Sequence, residues 1–178
     1  MERAILAGDD KTGVCLMVVE ETLDTGGVYR RVEVPIGSEE TADQLRGRLT
    51  DAGASLLLDA LAEGLEDPVP QAGEVSYAEK VVPADLRLDW DRPANELARI
   101  VRLGGAHTTF RGKRLKVLAV RLLVERSASL PGSLDGPRVA TGAGSVELVT
   151  VQPEGKPSRS ADEWLNGARP RPGERLGG

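Results

Sequence analysis

The chain has 178 residues, of which 40% are hydrophobic and only 3% aromatic, so we expect one or two domains with a core of Leu, Val, Ile and Ala. No apolar run reaches the roughly 18 residues of a membrane span, and no signal-peptide pattern opens the chain. A single Cys excludes an intramolecular disulfide, and one Cys with one His argues against a Cys/His zinc site. Together these features predict a cytoplasmic protein without membrane or metal partners. The net charge of −5 conceals a division, because residues 1–70 hold 6 basic and 15 acidic side chains whereas residues 71–178 hold 17 and 13.

The first predicted elements are two strands that form a hairpin. Residues 14–20 are a short apolar run rich in β-branched side chains, and residues 28–34 alternate in polarity before Pro35. Between them, residues 23–27 (Leu-Asp-Thr-Gly-Gly) have the composition of a turn. A helix follows, beginning near Ser38 or Thr41 and running to about Glu63.

The helix is followed by the segment most typical of a linker. Residues 67–73 contain two prolines and a glycine, and the charge balance changes sign at this point. We therefore predict a first domain over residues 1–66, a linker over 67–73 and a second domain over 74–178.

The second domain is predicted to consist of short units separated by Gly, Pro, Asp and Ser. A helix extends from Asp91 to about Val101, and a second helix over residues 160–166 is predicted by the capping-box spacing of Ser160 and Glu163. Candidate strands occupy residues 108–110, 115–124, 136–140 and 146–152. Several short strands with an early helix favour a small barrel of the OB type, so the fold class is an α/β fragment followed by a mainly β, OB-like barrel.

The triplet Asp24-Thr25-Gly26 is the first candidate for chemistry. Asp-Thr-Gly also occurs in aspartic proteases, but those enzymes bring two such aspartates together, and the polar Thr22 stands where a protease has an apolar strand. A simpler interpretation is an Asx-turn, in which the side chain of Asp24 caps its own turn.

The second candidate is a cluster of cations that begins at a turn and enters a strand: Arg111, Lys113, Arg114 and Lys116. Such a cluster attracts phosphates by charge and counterion release, and Arg99, Arg102, Arg121 and Arg126 are near it in sequence. The alternative is a solvated strand edge that Lys and Arg protect against aggregation.

Nine short stretches, in order along nearly the whole chain, resemble the methionyl-tRNA formyltransferase family. They are Arg3-Ala-Ile-Leu-Ala-Gly-Asp9, Thr12-Gly-Val14, Leu23-Asp-Thr-Gly26, Ser76-Tyr-Ala-Glu-Lys80, Leu88-Asp-Trp90, Phe110-Arg-Gly-Lys-Arg-Leu-Lys116, Gln152-Pro-Glu-Gly-Lys156, Asn166-Gly167 and Pro172-Gly173.

The resemblance implies a fold, a reaction and a set of partners. The fold is the end of a Rossmann-like formyltransferase domain followed by an OB-like domain that contacts tRNA. The reaction moves a formyl group from the co-substrate 10-formyltetrahydrofolate to the amino group of initiator methionyl-tRNA, and no metal takes part. Asp24 corresponds to the catalytic aspartate of the family, and Arg99, Arg102, Arg111, Lys113, Arg114 and Lys116 are the predicted tRNA contacts. The resemblance also implies that the full-length family member is monomeric.

The family also uses an Asn–x–His pair, which this sequence does not contain, so we expect little or no activity from this chain alone. A mis-called gene start or a truncated gene is our hypothesis for that difference, and the upstream DNA tests it. Two other functions stay open: a stand-alone module that binds tRNA or another RNA, and a relative that formylates an amino sugar.

Overall fold

The structure is a computed structural model that describes residues 1–123 and 129–178. The described chain divides into two compact units, Met1–Lys80 and Val81–Gly178. Residues 67–73, the predicted linker, belong to the first of these units, where Val69 exchanges two backbone hydrogen bonds with Val28 (2.8 and 2.9 Å). Within the described residues, no helix is both long enough and apolar enough to cross a bilayer.

The first unit contains helix α1 (Glu2–Ala7), strands β1 (Lys11–Met17) and β2 (Val28–Pro35), and helix α2 (Ala42–Glu63). The predicted hairpin is confirmed, because β1 and β2 pair in antiparallel register. Helix α2 begins after Thr41, whose hydroxyl accepts the N–H of Gln44 while the Gln44 side chain accepts the N–H of Thr41, a reciprocal capping box. Helix α1 carries no strong sequence signal and was not predicted.

One face of α2 packs on the hairpin and forms the core of this unit. Leu45 and Ala60 are buried on that face, and Gly53 permits the close approach, because a Cβ there would lie 3.3 Å from Cγ1 of Val14. Other leucines of the helix stay largely exposed, among them Leu58 (66%) and Leu61 (70%). Burial on one face only is the pattern expected of an amphipathic helix, but the opposite face is less polar than such helices usually are.

The second unit begins with a short 3₁₀ helix (Pro83–Leu86) and continues with two helices and six strands over the described residues. The helices are α3 (Ala94–Arg102) and α4 (Ala161–Ala168), and the strands are β3 (His107–Phe110), β4 (Lys113–Leu123), β5 (Leu134–Asp135), β6 (Arg138–Ala140), β7 (Ser145–Pro153) and β8 (Arg159–Ser160). Val124, the last residue of one predicted strand, lies outside the described residues.

The strands of the second unit form an antiparallel sheet in the order β3-β4-β7-β6-β5, and β8 pairs with β7. Among the described strands, no pairing joins the two ends of this sheet, so the sheet is open. The predicted OB-like barrel is therefore not confirmed. Register shifts between β4 and β7 leave Leu118 and Val149 as extra residues, and such bulges bend a sheet locally.

Two smaller predictions for the second unit were wrong. Residues 136–140 are not one strand, because Gly136 (φ 55°) and Pro137 form the turn between β5 and β6. Gly167 lies inside α4, which ends at Ala168 and is capped by Arg169 in the left-handed conformation. Near the C-terminus, Leu176 is buried and its N–H donates to the carbonyl of Gly132 (2.9 Å).

Candidate functional site

The turn that carries Asp24 joins β1 to β2 through residues 18–27. Asp24 itself adopts a left-handed backbone conformation (φ 60°), which a non-glycine residue rarely holds without support. The N–H of Val18 donates to the carbonyl of Gly27 (2.9 Å) and closes the loop at its base. Gly26 is buried, and a Cβ at this position would lie 2.0 Å from the carbonyl oxygen of Val18. The loop is therefore built around a glycine that no other residue can replace without moving the backbone.

The side chain of Asp24 is exposed and accepts no hydrogen bond from the described residues of the chain, so the Asx-turn predicted as an alternative is absent from the structure. Instead, the neighbouring Thr25 forms a hydrogen bond within the turn, donating its hydroxyl to the carbonyl of Thr22 (3.1 Å). Leu23 beside it is 92% exposed. The first unit thus presents a carboxylate on a constrained turn, in an open surface rather than in an enclosed site.

A residue from the predicted linker fixes this turn. The side-chain amide of Gln71 donates to two carbonyls at once, that of Asp24 (2.8 Å) and that of Gly26 (2.9 Å). Gln71 was not among the predicted site residues, because it lies 47 residues from Asp24 in a Pro-rich stretch with no local signal of a contact.

The predicted cationic cluster divides into residues with different environments. Arg111 and Gly112 form the two-residue turn between β3 and β4, both with positive φ (50° and 69°) as in a type I′ turn. The Arg111 guanidinium donates to both carboxylate oxygens of Glu174 (2.8 and 2.6 Å) and to the carbonyls of Ala168 and Arg169. It also lies over the ring of Phe110, 4.8 Å from the centroid.

This bidentate contact perturbs both partners. The Arg111 guanidinium and the backbone N–H of Arg171 hold the pKa of Glu174 at about 2, because both stabilise the ionised carboxylate. The same hydrogen bond raises the pKa of Arg111. The donors of Arg111 are directed at the C-terminal segment of the chain, so its geometry serves the internal structure.

The remaining three cations of the cluster are on β4, where Lys113 and Arg114 are exposed and Lys116 is half-buried. Arg114 and Lys116 alternate with the buried Leu115 and Val117, so they share one face of the sheet. Register places Thr109 opposite Arg114 and places both His107 and Gln152 opposite Lys116. Lys113, next to the turn, lines a cleft of about 270 Å³ together with Arg114 and Lys156. We call Lys113, Arg114 and Lys116 the basic strand.

The other predicted cations are not on this strand end. Arg99 and Arg102 occupy the last turn of α3, where basic side chains suit the helix dipole, and both are half-buried and engaged within the chain. Arg121, farther along β4, forms an ion pair with Glu147 (2.9 Å). Arg126 lies outside the described residues.

The described residues give no support to a metal centre or to a His-based catalytic site in the second unit. Over residues 1–123 and 129–178, His, Cys, Asp and Glu do not gather into a group of three or more that could hold a metal ion. His107 is half-buried, and its Nδ1 lies 3.4 Å from the carbonyl oxygen of Gly105.

Comparison with known proteins matches both units of the chain to one family. Residues 1–61 match the family model described as formyl transferase, and residues 80–169 match the model described as formyl transferase, C-terminal domain.

Among curated relatives, methionyl-tRNA formyltransferase from Cereibacter sphaeroides is 44% identical over 180 residues, covering 96% of this chain and 59% of the relative. The enzyme of the same name from Streptomyces coelicolor is 40% identical, covering 99% of this chain and 61% of the relative. The chain thus spans about three fifths of the length of the curated relatives it matches. The crystal structure of HypX from Aquifex aeolicus in complex with tetrahydrofolic acid has a TM-score of 0.69 at 21% identity, covering 92% of this chain and 31% of HypX.

Proposed function

Because the chain belongs to the formyltransferase family, we propose that it functions in the transfer of a formyl group from 10-formyltetrahydrofolate to the amino group of initiator methionyl-tRNA. The observation that carries this proposal is the 44% identity to a methionyl-tRNA formyltransferase over nearly the whole chain, across both units. The Asp-Thr-Gly turn and the basic strand lie within the matched residues.

In this proposal Asp24 is the catalytic residue that the first unit contributes. The neutral amine of methionine attacks the formyl carbon, the new C–N bond forms, and the bond from that carbon to the folate nitrogen breaks. The attacking amine must lose a proton and the departing folate nitrogen must gain one. The carboxylate of Asp24 is exposed and forms no hydrogen bond with a described side chain, so it is suited to stabilise a protonated group during that exchange of protons.

The residues around Asp24 supply an acceptor for this chemistry but no enclosed folate site. Leu23 and Val19 are both more than nine-tenths exposed, so the turn does not exclude water from a bound donor. The sequence also contains no Asn–x–His pair. We therefore propose that this chain by itself has little or no turnover, and that folate and amine chemistry need further residues beside the turn.

The second unit is proposed to bind the tRNA backbone through its basic strand. Lys113 and Arg114 are exposed and Lys116 is half-buried at one end of β4, where three cations within four positions can each neutralise a phosphate. Arg111 is omitted from this contact surface, because its guanidinium already holds Glu174. Arg99 and Arg102 stay predicted contacts that add positive charge to the unit.

We also propose a more specific fold for each unit and a monomeric state for the full-length protein. The hairpin and α2 are consistent with the end of a Rossmann-like domain, and the bulges at Leu118 and Val149 support an OB-like curvature of the second sheet. We propose a cytoplasmic protein that acts as a monomer in its full-length form.

Salt-dependent tRNA binding tests the role of the basic strand. We expect the chain to bind initiator tRNA, and the triple variant Lys113→Ala, Arg114→Ala, Lys116→Ala to bind more weakly with a logarithmic salt slope reduced by roughly two to three, since each phosphate contact contributes about 0.7 to 0.9. Fluorescence anisotropy between low and physiological salt measures both quantities.

The matched control removes the same charge elsewhere. Arg31, Lys80 and Arg175 are exposed and lie outside the basic strand, so replacing all three by Ala should leave the slope nearly unchanged. An equal reduction in both triple variants would show that net charge alone, and not the basic strand, attracts the tRNA.

A formyl-transfer assay with 10-formyltetrahydrofolate distinguishes the proposal from its alternatives. Turnover by this chain that disappears in Asp24→Ala would contradict the expected inactivity while supporting the role of Asp24. Binding of tRNA and other RNAs with equal affinity would favour a stand-alone RNA-binding module. Formylation of an amino sugar would favour the sugar-modifying alternative.

A further inference from the structure

The segment that follows α2 holds the Asp24 turn in place from outside the loop. Val69 pairs with Val28 through two backbone hydrogen bonds (2.8 and 2.9 Å), which extends the hairpin by an antiparallel bridge at the end of β2 nearest the turn. Gly27 adds to this contact, since a Cβ there would lie 3.1 Å from Cβ of Pro68. The bridge sets the position of the next side chain that can reach the turn, that of Gln71.

We propose that Gln71 is the positioning residue for the Asp24 carboxylate, an inference that rests on the proposed function of Asp24. One primary amide carries two N–H donors, and the two donors of Gln71 go to the carbonyls on either side of Thr25, those of Asp24 and Gly26. Both carbonyls belong to the loop backbone, so the contact fixes the backbone at Asp24 and leaves its side chain unoccupied.

The Gln71 hydrogen bonds stabilise the loop at Asp24, the residue with the unusual backbone conformation. Asp24 holds φ at 60°, a conformation that is uncommon for residues other than glycine, although Asp and Asn adopt it more readily than most. Within the loop, Thr25 contributes side-chain hydrogen bonds to Thr22 and Glu20, and all three residues are exposed. Gln71 instead ties the turn to a segment that is itself paired to β2, so it adds a second link between the turn and the sheet beside the hydrogen bond from Val18 to Gly27.

The chemistry of the side chain makes the inference specific. Glutamate at position 71 has the same length but no donors, and it would place a carboxylate against two carbonyl oxygens. Methionine keeps the length without donors or charge. Lysine keeps donors on a flexible stem, so it can restore the contact.

The experiment follows the turn by NMR in the isotope-labelled chain. We expect Gln71→Glu and Gln71→Met to change the three-bond HN–Hα coupling and the ¹³Cα and ¹³Cβ shifts of Asp24, and to accelerate exchange of the loop-closing Val18 amide roughly tenfold, the effect of losing about one net hydrogen bond. The amides of Val14 and Val32, paired in the middle of the hairpin, should exchange at unchanged rates. Gln71→Lys should restore the Asp24 coupling and shifts.

The control is Gln152→Glu, which removes a comparable donor, since Gln152 Nε2 donates to the carbonyl of Lys156 (3.0 Å) in the second unit. Asp24 signals should be unaffected by this change. Asp24 parameters that stay at wild-type values in Gln71→Glu and Gln71→Met would overturn the positioning role. A general loss of protection across β1 and β2, not rescued by Lys, would overturn it too, because Gln71 would then be a stabilising residue of the whole hairpin.

The two proposals fail separately. The NMR result depends only on the geometry of the turn, whereas the role of Asp24 depends on formyl transfer. If the chain shows turnover, formyl transfer that survives Asp24→Ala would remove the catalytic meaning of the turn. Altered Asp24 parameters in the Gln71 variants would then retain Gln71 as the residue that sets the turn, without a positioning role in catalysis.

Discussion

Two turns of this molecule, residues 18–27 in the first unit and residues 111–112 in the second, each hold a non-glycine residue in the left-handed region, and they are supported in opposite ways. Arg111 is held by its own side chain, which binds Glu174 and two carbonyls. Asp24 is held by its backbone, whose carbonyl accepts from Gln71, while its carboxylate stays without a partner among the described residues.

The difference separates a structural residue from a candidate functional one. A side chain that makes the hydrogen bonds stabilising its own conformation has few donors left for a ligand. A strained residue whose side chain is left exposed needs support from elsewhere, and strained conformations cluster at active sites and ligand-binding loops. By this reasoning the left-handed Asp24 is a candidate for chemistry, whereas the left-handed Arg111 joins the C-terminal segment to a hairpin.

The largest expected effect comes from the glycines of the two turns. Gly26→Ala would bring a Cβ to 2.0 Å from the carbonyl oxygen of Val18, so the loop backbone must move. Gly112→Ala meets no atom within 4 Å and only has to adopt a positive φ. We expect a destabilisation of about 2 to 4 kcal/mol for Gly26→Ala, as for other severe steric conflicts, and about 1 to 2 kcal/mol for Gly112→Ala.

Denaturant titration followed by two probes checks this order. Both tryptophans, Trp90 and Trp164, belong to the second unit, so their fluorescence reports Gly112→Ala, and NMR signals of β1 report Gly26→Ala. Equal destabilisation by the two changes would mean that the loop around Asp24 adapts easily, and the contrast between the turns would then lose its basis.

Local signals in the sequence were enough for part of this architecture. The start of α4 was predicted from Ser160 and Glu163, which lie within one turn and bond each other's backbone in the structure. The hairpin of β1 and β2 was predicted for the same reason, because the two strands are adjacent in the sequence and a segment with the composition of a turn lies between them.

The supports of the two turns could not be predicted, since each joins residues far apart in the chain. Gln71 lies 47 residues from Asp24, and Glu174 lies 63 residues from Arg111. A single sequence carries no pattern for such pairs. That the described strands of the second sheet do not close into a barrel was likewise not accessible, because strand pairing at the sheet edges depends on long-range register and not on the alternation within each strand.

A smaller effect on the stability of the second unit is expected when acid protonates Glu174, the partner of Arg111. The pKa of Glu174 is lowered from 4.5 to about 2 in the folded chain, so its contact stabilises the second unit above about pH 4.5, and this contribution is lost as the pH falls from 4.5 towards 2. Glu174→Gln removes the titrating group. Its unfolding midpoint, followed by tryptophan fluorescence, should therefore be lower than that of the parent at neutral pH and approach it below pH 3.

Glu33→Gln is the control, because Glu33 also has a lowered pKa, from its contact with Lys11, but belongs to the first unit. It should not change the acid dependence of the tryptophan signal. A constant difference between the parent and Glu174→Gln across the whole pH range would indicate that packing, and not the ionised pair, accounts for the contribution of Glu174.

The smallest expected effect on stability is the most informative for Asp24. If its backbone is held by Gln71 and its carboxylate has no partner, Asp24→Asn should leave the stability of the first unit within about 0.5 kcal/mol, since asparagine also tolerates the left-handed conformation. Denaturant titration of the β1 signals measures this, and Asp43→Asn, which removes an acid paired with Arg46, is a comparison at another exposed carboxylate. A loss of more than 1 kcal/mol in Asp24→Asn would show that the carboxylate stabilises its own turn, as Arg111 does. Asp24 would then be a structural residue, and the distinction between the two turns would fail at the residue on which the proposed chemistry depends.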